Sequence, residues 1–195
     1  MQPLRMPANK ISTRARVFDI IRERSFRTGD FTLASGRKSK FYLDLKPTMF
    51  HPQGAHGLAE LIVQRIADLK VDYVGGLEMG AVPLVAAVNT LSGASERPVA
   101  GFFVRKRVKD HGTKKLVEAT DNLQGKNVVI LEDVTTSGGS AMDAVRAARE
   151  AGGAVLLVLS VVDRNEGAAA FFADAGIAFD WLFQLDEFAS AAEKN

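Results

Sequence analysis

Val128-Val129-Ile130-Leu131 is a short, mostly β-branched apolar run that leads directly into Glu132-Asp133-Val134-Thr135-Thr136-Ser137-Gly138-Gly139-Ser140. A run that short and that apolar predicts a strand buried on both faces, which requires a parallel sheet covered by helices. Ala141 to Ala151 then continues at helical period with good helix formers and stops at Gly152-Gly153. The join therefore lies at the carboxyl end of a strand and the amino end of a helix, where unpaired N–H groups and the helix dipole attract an anion. Gly138 and Gly139 allow positive φ and close approach of the backbone, and Thr135, Thr136, Ser137 and Ser140 offer hydroxyl donors. The order predicts a phosphate cradle.

The rest of the chain repeats the same alternation. Strands are expected near Asp72 to Leu77, Val99 to Val104, 128 to 131, Val155 to Val162 and Phe179 to Phe183. Between them lie helical patterns: Leu58, Leu61, Ile62, Ile66 and Leu69 share one face, Ala81 to Leu91 carries Pro83 in its first turn, and Ala168 to Asp174 follows later. Alternating strands and helices give an α/β fold, a doubly wound, mostly parallel five-stranded sheet with ligands at the carboxyl ends of its strands. The N-terminal part is different. Val17, Phe18 and Ile21 mark a helix, and Phe31, Leu33, a turn at Ser35 to Lys38, and Phe41, Leu43, Leu45 alternating with Tyr42, Asp44, Lys46 mark a hairpin. A single domain over 1–195 is expected, with a helix-plus-hairpin hood over about 11–50 and an α/β core over about 54–188.

A formal net charge of +2 is too small to imply a nucleic-acid or membrane partner. The chain has no Cys, which excludes disulfides and thiolate chemistry and fits a cytoplasmic protein. Every long apolar run is broken before the ~20 residues a membrane span needs, and no signal peptide is visible.

Glu132 and Asp133 narrow the ligand. Acids beside a phosphate cradle repel it unless they accept hydrogen bonds from sugar hydroxyls or face a bound cation, so ribose and Mg²⁺ are the expected companions. A nucleoside triphosphate loop is absent: Gly75 and Gly80 have its glycine spacing, but Ala81 stands at the lysine position. Gly75-Gly76-Leu77-Glu78-Met79-Gly80 is either a second backbone cradle at the same sheet edge or a tight packing turn. Arg105-Lys106-Arg107-Val108-Lys109-Asp110-His111-Gly112-Thr113-Lys114-Lys115 is long, polar and cationic. A loop of that kind can close over a polyphosphate and supply charge to a leaving group, or be a solvated loop or a nucleic-acid patch. Arg164 follows a strand end, where it is either a surface residue or a bidentate partner for a carboxylate. His51 and His56 are badly spaced for a shared metal. Phe171, Phe172 and Trp181 sit in apolar segments and are expected in the core.

Taken together, residues 128 to 140 resemble the phosphoribosyl pyrophosphate motif of type I phosphoribosyltransferases, and the loop resembles that of the orotate phosphoribosyltransferase family. Phe31-Thr32-Leu33-Ala34-Ser35-Gly36-Arg37-Lys38-Ser39 resembles the family's N-terminal signature. Arg105-Lys106-x-x-Lys109-Asp110-His111-Gly112 resembles its catalytic loop, and Asp163-Arg164-x-Glu166-Gly167 its late arginine segment. The similarity covers about residues 15 to 188 in the family's order. Three positions depart from the usual pattern: Ala34 stands where Lys is common, Glu132 where Asp is common, and Ala119 where Gly is frequent.

The resemblance implies the type I phosphoribosyltransferase fold and a transfer of ribose 5-phosphate to orotate in pyrimidine synthesis. It implies that Glu132, Asp133, Val134, Thr135, Thr136, Ser137, Gly138, Gly139 and Ser140 bind phosphoribosyl pyrophosphate, the acids at the ribose hydroxyls and residues 135 to 140 at the 5′-phosphate. Arg105, Lys106, Lys109 and His111 would bind the pyrophosphate, with Lys109, His111 and Asp133 catalytic. Thr136 and Arg164 would contact orotate. Mg²⁺ would be held mainly by the substrate near Glu132 and Asp133, with no direct protein ligand, and a homodimer with shared active sites is implied. A phosphoribosyltransferase for another nucleobase and a non-catalytic sensor of phosphoribosyl pyrophosphate are the competing expectations.

Overall fold

The computed structural model describes residues 12–32, 36, 38–107 and 116–193. The N-terminal hood comprises α1 (Thr13–Arg24), the antiparallel pair β1 (Phe26–Thr32) and β2 (Lys38–Leu43), and the short α2 (Lys46–Met49). There follow α3 (Pro52–Arg65), β3 (Tyr73–Gly75), α4 (Ala81–Ser92), β4 (Ala100–Val104), β5 (Val117–Ala119), β6 (Asn127–Thr135) and α5 (Gly139–Glu150). The chain continues through β7 (Ala154–Asp163), α6 (Ala168–Asp174), β8 (Phe179–Gln184) and α7 (Leu185–Glu193). Ser12 caps α1 by accepting the Ala15 N–H, and prolines occupy the first turns of α2 and α3, where the missing N–H costs nothing.

The main sheet runs in the order β5-β4-β3-β6-β7-β8. The five parallel strands are those expected from the sequence. The sheet nevertheless has six strands among the described residues, because β5 adds to the edge antiparallel to β4, with Phe102 opposite Ala119 and Val104 opposite Val117. This corrects the five-stranded count. Val117-Glu118-Ala119 is too short and too half-buried to announce itself by periodicity, and it forms because the edge of β4 has unpaired backbone groups to satisfy. Ala119 therefore lies in this edge strand.

Chain order reverses between β3 and β6, since β4 lies on one side of β3 and β6, β7 and β8 lie on the other. Such a reversal opens a crevice at the carboxyl ends of the two central strands, which places Gly75 to Gly80 and Glu132 to Ser140 on opposite lips of one cleft. Two apolar clusters fill the two faces of the sheet. Val74, Val129, Leu131 and Leu159 pack with Leu58, Ile62, Leu84 and Val88 of α3 and α4 on one side, and Val128, Ile130 and Val158 pack with Met142, Val145 and Phe172 of α5 and α6 on the other.

Three sequence expectations change. β2 ends at Leu43, so Leu45 and Lys46 begin a helical turn instead of extending the strand. The α7 helix, which the sequence reading did not foresee, buries Phe188 completely and stacks it on Phe18 of α1 at 4.5 Å, tying the C-terminal end to the hood. Phe171 is 39% exposed while its neighbour Phe172 is fully buried, and Trp181 is half-buried beside Phe179. Among the described residues no helix is long and apolar enough to cross a membrane.

Candidate active site

The strand expected at 128 to 131 continues to Thr135, because β7 goes on pairing beside it through Glu132 opposite Ser160 and Thr135 opposite Asp163. Glu132 and Asp133 are therefore held by a sheet ladder and point from rigid backbone. The turn itself is Thr136 and Ser137, both exposed, and Gly138 caps α5 with φ 90°, a conformation that glycine adopts at no steric cost. A Cβ at Gly138 would lie 2.9 Å from the Phe172 ring and 3.0 Å from that of Phe171, so the α6 aromatics press the turn from behind. Glu132, Val134, Thr135, Thr136, Gly138, Gly139 and Ser140 line a pit of about 30 Å³ over the helix start. Thr135 takes part only through its backbone. Its side chain is buried, and its hydroxyl donates to Ser160 Oγ at 2.8 Å, which corrects the expectation of a hydroxyl donor at that position.

The acid pair is electrostatically strained. Burial pushes the Glu132 carboxyl up to about 8, with the Asp133 charge adding to the shift and the Lys106 ammonium opposing it. Glu132 Oε2 is buried and has no hydrogen-bond partner among the described residues. Asp133 is raised as well, by burial first, against the Val134 N–H that donates to its Oδ1 at 2.9 Å and the ammonium of Lys46. A buried carboxylate oxygen with nothing to accept is poised for a ligand hydroxyl or a cation.

Opposite the acids, the Gly75-to-Gly80 segment is both a packing turn and a wall of the site. A Cβ at Gly76 would lie 2.2 Å from the Leu131 carbonyl oxygen, whereas one at Gly80 would lie 2.5 Å from Asp133 Oδ1. Lys46, Glu78, Met79, Gly80, Lys106, Glu132, Asp133 and Ser140 line a cleft of about 370 Å³. Glu78 Oε1 accepts the Lys106 N–H at 3.0 Å and so anchors the start of the cationic loop. Arg105, one residue earlier, turns away: its Nε donates to Glu118 Oε1 at 2.9 Å, and it lines a neighbouring hollow with Ser140 and Arg146. Lys109 and His111 lie outside the described residues, as does Ala34.

Arg164 stands one strand over, at the end of β7. Its N–H donates to the Thr135 carbonyl at 2.9 Å, and its buried guanidinium donates from Nε to Glu166 Oε1 at 2.8 Å. Asn165, at φ 55°, braces this turn by donating to Asp186 and accepting from Gln184. The fold thus brings Lys106, Glu132, Asp133 and Ser140 to one cleft and sets Arg164 on the far flank of the cradle. Glu78 and Gly80 fall in the segment read as a second cradle or a packing turn, whereas sequence reasoning passes over Lys46, hidden by an alternation that marks it as the wet side of a strand. His56 faces Glu60 at 3.3 Å, away from the cleft, and among the described residues no group of three or more His, Cys, Asp or Glu could hold a metal ion.

A larger cavity, of about 1030 Å³, opens at the other end of the strands between Val63, Lys70, Asp72 and Arg97, remote from these groups. The convergent polar groups, and not cavity size, mark the candidate site.

The chain is similar to known proteins along most of its length. The model of the phosphoribosyl transferase domain family matches residues 49–179. An orotate phosphoribosyltransferase of Rhodopseudomonas palustris (strain BisB18) is 56% identical over 183 residues, covering 92% of this chain and 98% of that protein. The crystal structure of Mycobacterium tuberculosis H37Rv orotate phosphoribosyltransferase with Fe(III) dicitrate superposes with a TM-score of 0.80 at 34% identity, covering 91% of this chain and 99% of that one. The same enzyme in complex with 5-phospho-alpha-D-ribosyl 1-diphosphate gives a TM-score of 0.77 at 32% identity, again over 91% and 99% of the two chains.

Proposed function

Because the chain belongs to the orotate phosphoribosyltransferase family, we propose that it transfers ribose 5-phosphate from phosphoribosyl pyrophosphate to orotate, giving orotidine 5′-phosphate and pyrophosphate in pyrimidine synthesis. It is a glycosyltransferase, and its machinery follows from one observation: a half-buried acid pair with an unsatisfied Glu132 oxygen sits beside the pit over the start of α5, at the chain reversal of the sheet. The backbone N–H groups of Thr135 to Ser140, with the hydroxyls of Thr136, Ser137 and Ser140, hold the 5′-phosphate. Glu132 and Asp133 accept the ribose hydroxyls.

Displacing pyrophosphate from the anomeric carbon builds positive charge on the sugar ring and negative charge on the departing oxygens, and no covalent nucleophile is required. The protein must therefore align the reactants and stabilise the leaving group. Lys106 faces the cleft for that purpose, and Arg105, released from Glu118, joins Lys109 and His111 over the pyrophosphate. Lys109 carries the largest share. Orotate lies toward Arg164, whose guanidinium is held at Nε by Glu166 and can still offer its other edge to a carboxylate, with Thr136 alongside.

The acid pair also fits Mg²⁺: two adjacent, partly buried carboxyls, one with an unpartnered oxygen, compensate a divalent cation carried by the substrate. When bound, Mg²⁺ supplies Lewis-acid charge to the pyrophosphate and a template for its oxygens. The working unit is a homodimer in the cytoplasm, in which the cationic loop of one subunit reaches the site of the other.

Pyrophosphate release with Mg²⁺ and each of orotate, uracil, hypoxanthine and adenine tests the reading. Turnover with orotate alone is expected. Turnover with a purine or uracil instead would reassign the base, and tight binding of phosphoribosyl pyrophosphate without turnover on any base would make the chain a sensor.

A further inference from the structure

The cleft that holds the acid pair has a cation on its hood side that the motifs do not single out. Lys46 opens α2, and its position is built rather than incidental. Leu45 before it is fully buried, Pro47 restricts the backbone after it, and Thr48 is sealed by a 2.7 Å hydroxyl contact with Ser25. The Lys46 N–H donates to Asp44 Oδ1 at 3.0 Å, and its ammonium donates to the same oxygen at 3.1 Å. Asp44 and, more weakly, Asp133 raise the pKa of that ammonium, so it stays charged. Its side chain lines the cleft of about 370 Å³ together with Gly80, Lys106, Glu132 and Asp133.

The direction of the substrate decides what Lys46 meets. With the 5′-phosphate in the α5 cradle and the ribose on the acid pair, Arg164 takes the base on the β7 side. The pyrophosphate is then left to the β3 and β4 side, where Gly80 and Lys106 stand. Among the described residues that line the cleft there, the cations are Lys106 on the sheet side and Lys46 on the hood side. We propose that Lys46 is a pyrophosphate-binding residue of this site, gripping the leaving group from the hood while Lys106 faces it from the sheet, with Asp44 as its resting partner.

The inference rests on the cradle being a ribose phosphate site, and the test separates the two. Dissociation constants for pyrophosphate, phosphoribosyl pyrophosphate and ribose 5-phosphate, at fixed Mg²⁺, are measured by calorimetry for the full chain and for Lys46→Met and Lys46→Arg. Losing one charge-assisted contact is expected to weaken pyrophosphate and phosphoribosyl pyrophosphate about 10- to 100-fold in Lys46→Met. Ribose 5-phosphate, which reaches the cradle and the acid pair but carries no pyrophosphate, should change less than about 2-fold, and Lys46→Arg should recover most of the loss. Pyrophosphate binding in Lys46→Met within about 2-fold of the parent overturns the assignment. So does an equal loss for ribose 5-phosphate, which would mean general damage to the site. If the unsubstituted protein binds none of the three ligands, the cradle reading itself falls and Lys46 with it.

Discussion

Replacing Glu132 by Gln separates the electrostatic cost of its carboxyl from its use. The carboxyl is moved from 4.5 to about 8. At about 1.36 kcal/mol per pH unit, ionising it in this fold costs up to about 5 kcal/mol more than in the unfolded chain. The group is half-buried and opens onto the cleft, so solvent screening reduces that ceiling to about 2 kcal/mol. The folded value lies above the unfolded one, so the folded state binds the extra proton. Stability from this group is complete below 4.5 and is lost as pH rises through about 8. Urea denaturation of the ligand-free protein at about pH 5, 7 and 9 is therefore expected to show a fall of about 2 kcal/mol that Glu132→Gln lacks. Phosphoribosyl pyrophosphate with Mg²⁺ should reverse the preference. Binding at neutral pH expels the Glu132 proton, which calorimetry in buffers of different ionisation enthalpy counts, and the Gln variant should release fewer protons and bind more weakly. A Gln variant whose stability falls with pH as steeply as the parent's, or which releases as many protons on binding, refutes the reasoning.

Other substitutions test the remaining parts of the site. Gly80→Ala puts a methyl group 2.5 Å from Asp133 Oδ1 and should cut kcat/KM by about 100-fold with little change in fold, read by steady-state kinetics and circular dichroism. Gly138→Ala combines φ 90° with a 2.9 Å contact to Phe172, so both melting temperature and ribose 5-phosphate affinity should drop, by about 1–3 kcal/mol in stability. Thr135→Val should cost about 1–2 kcal/mol in denaturant unfolding, because Ser160 loses its buried partner, while phosphate affinity stays nearly unchanged. Asp133→Asn and Lys109→Ala should each cut turnover with orotate by about 100-fold or more while the thermal unfolding transition persists; full activity in either would remove that residue from the mechanism.

The cradle was legible because its parts are contiguous. A buried strand, two acids, hydroxyls, two glycines and a helix start occupy residues 128 to 151, and local physical chemistry alone orders them along one strand-turn-helix unit. The alternation of apolar periods likewise announced the doubly wound layers. The edge strand β5 was not legible, since three half-buried residues carry too little periodicity and depend on the open edge of β4. Neither was α7, whose reason for forming is Phe188 stacking on a ring of α1 about as far away in sequence as the chain permits.

What the sequence by itself determined is chemistry that neighbouring residues share: the phosphate turn, the acid pair, the cationic run beginning at Arg105, and Arg164 at a strand end. What only the tertiary structure decided is which of these face one another. The reversal between β3 and β6 sets Gly80 against Asp133, and the short α2 turns Lys46 into the same cleft. Thr135 loses its hydroxyl to Ser160, and Arg105 is drawn to Glu118. These are contacts between residues distant in sequence, set by packing and strand order, and the local pattern that shapes each segment does not encode its partner.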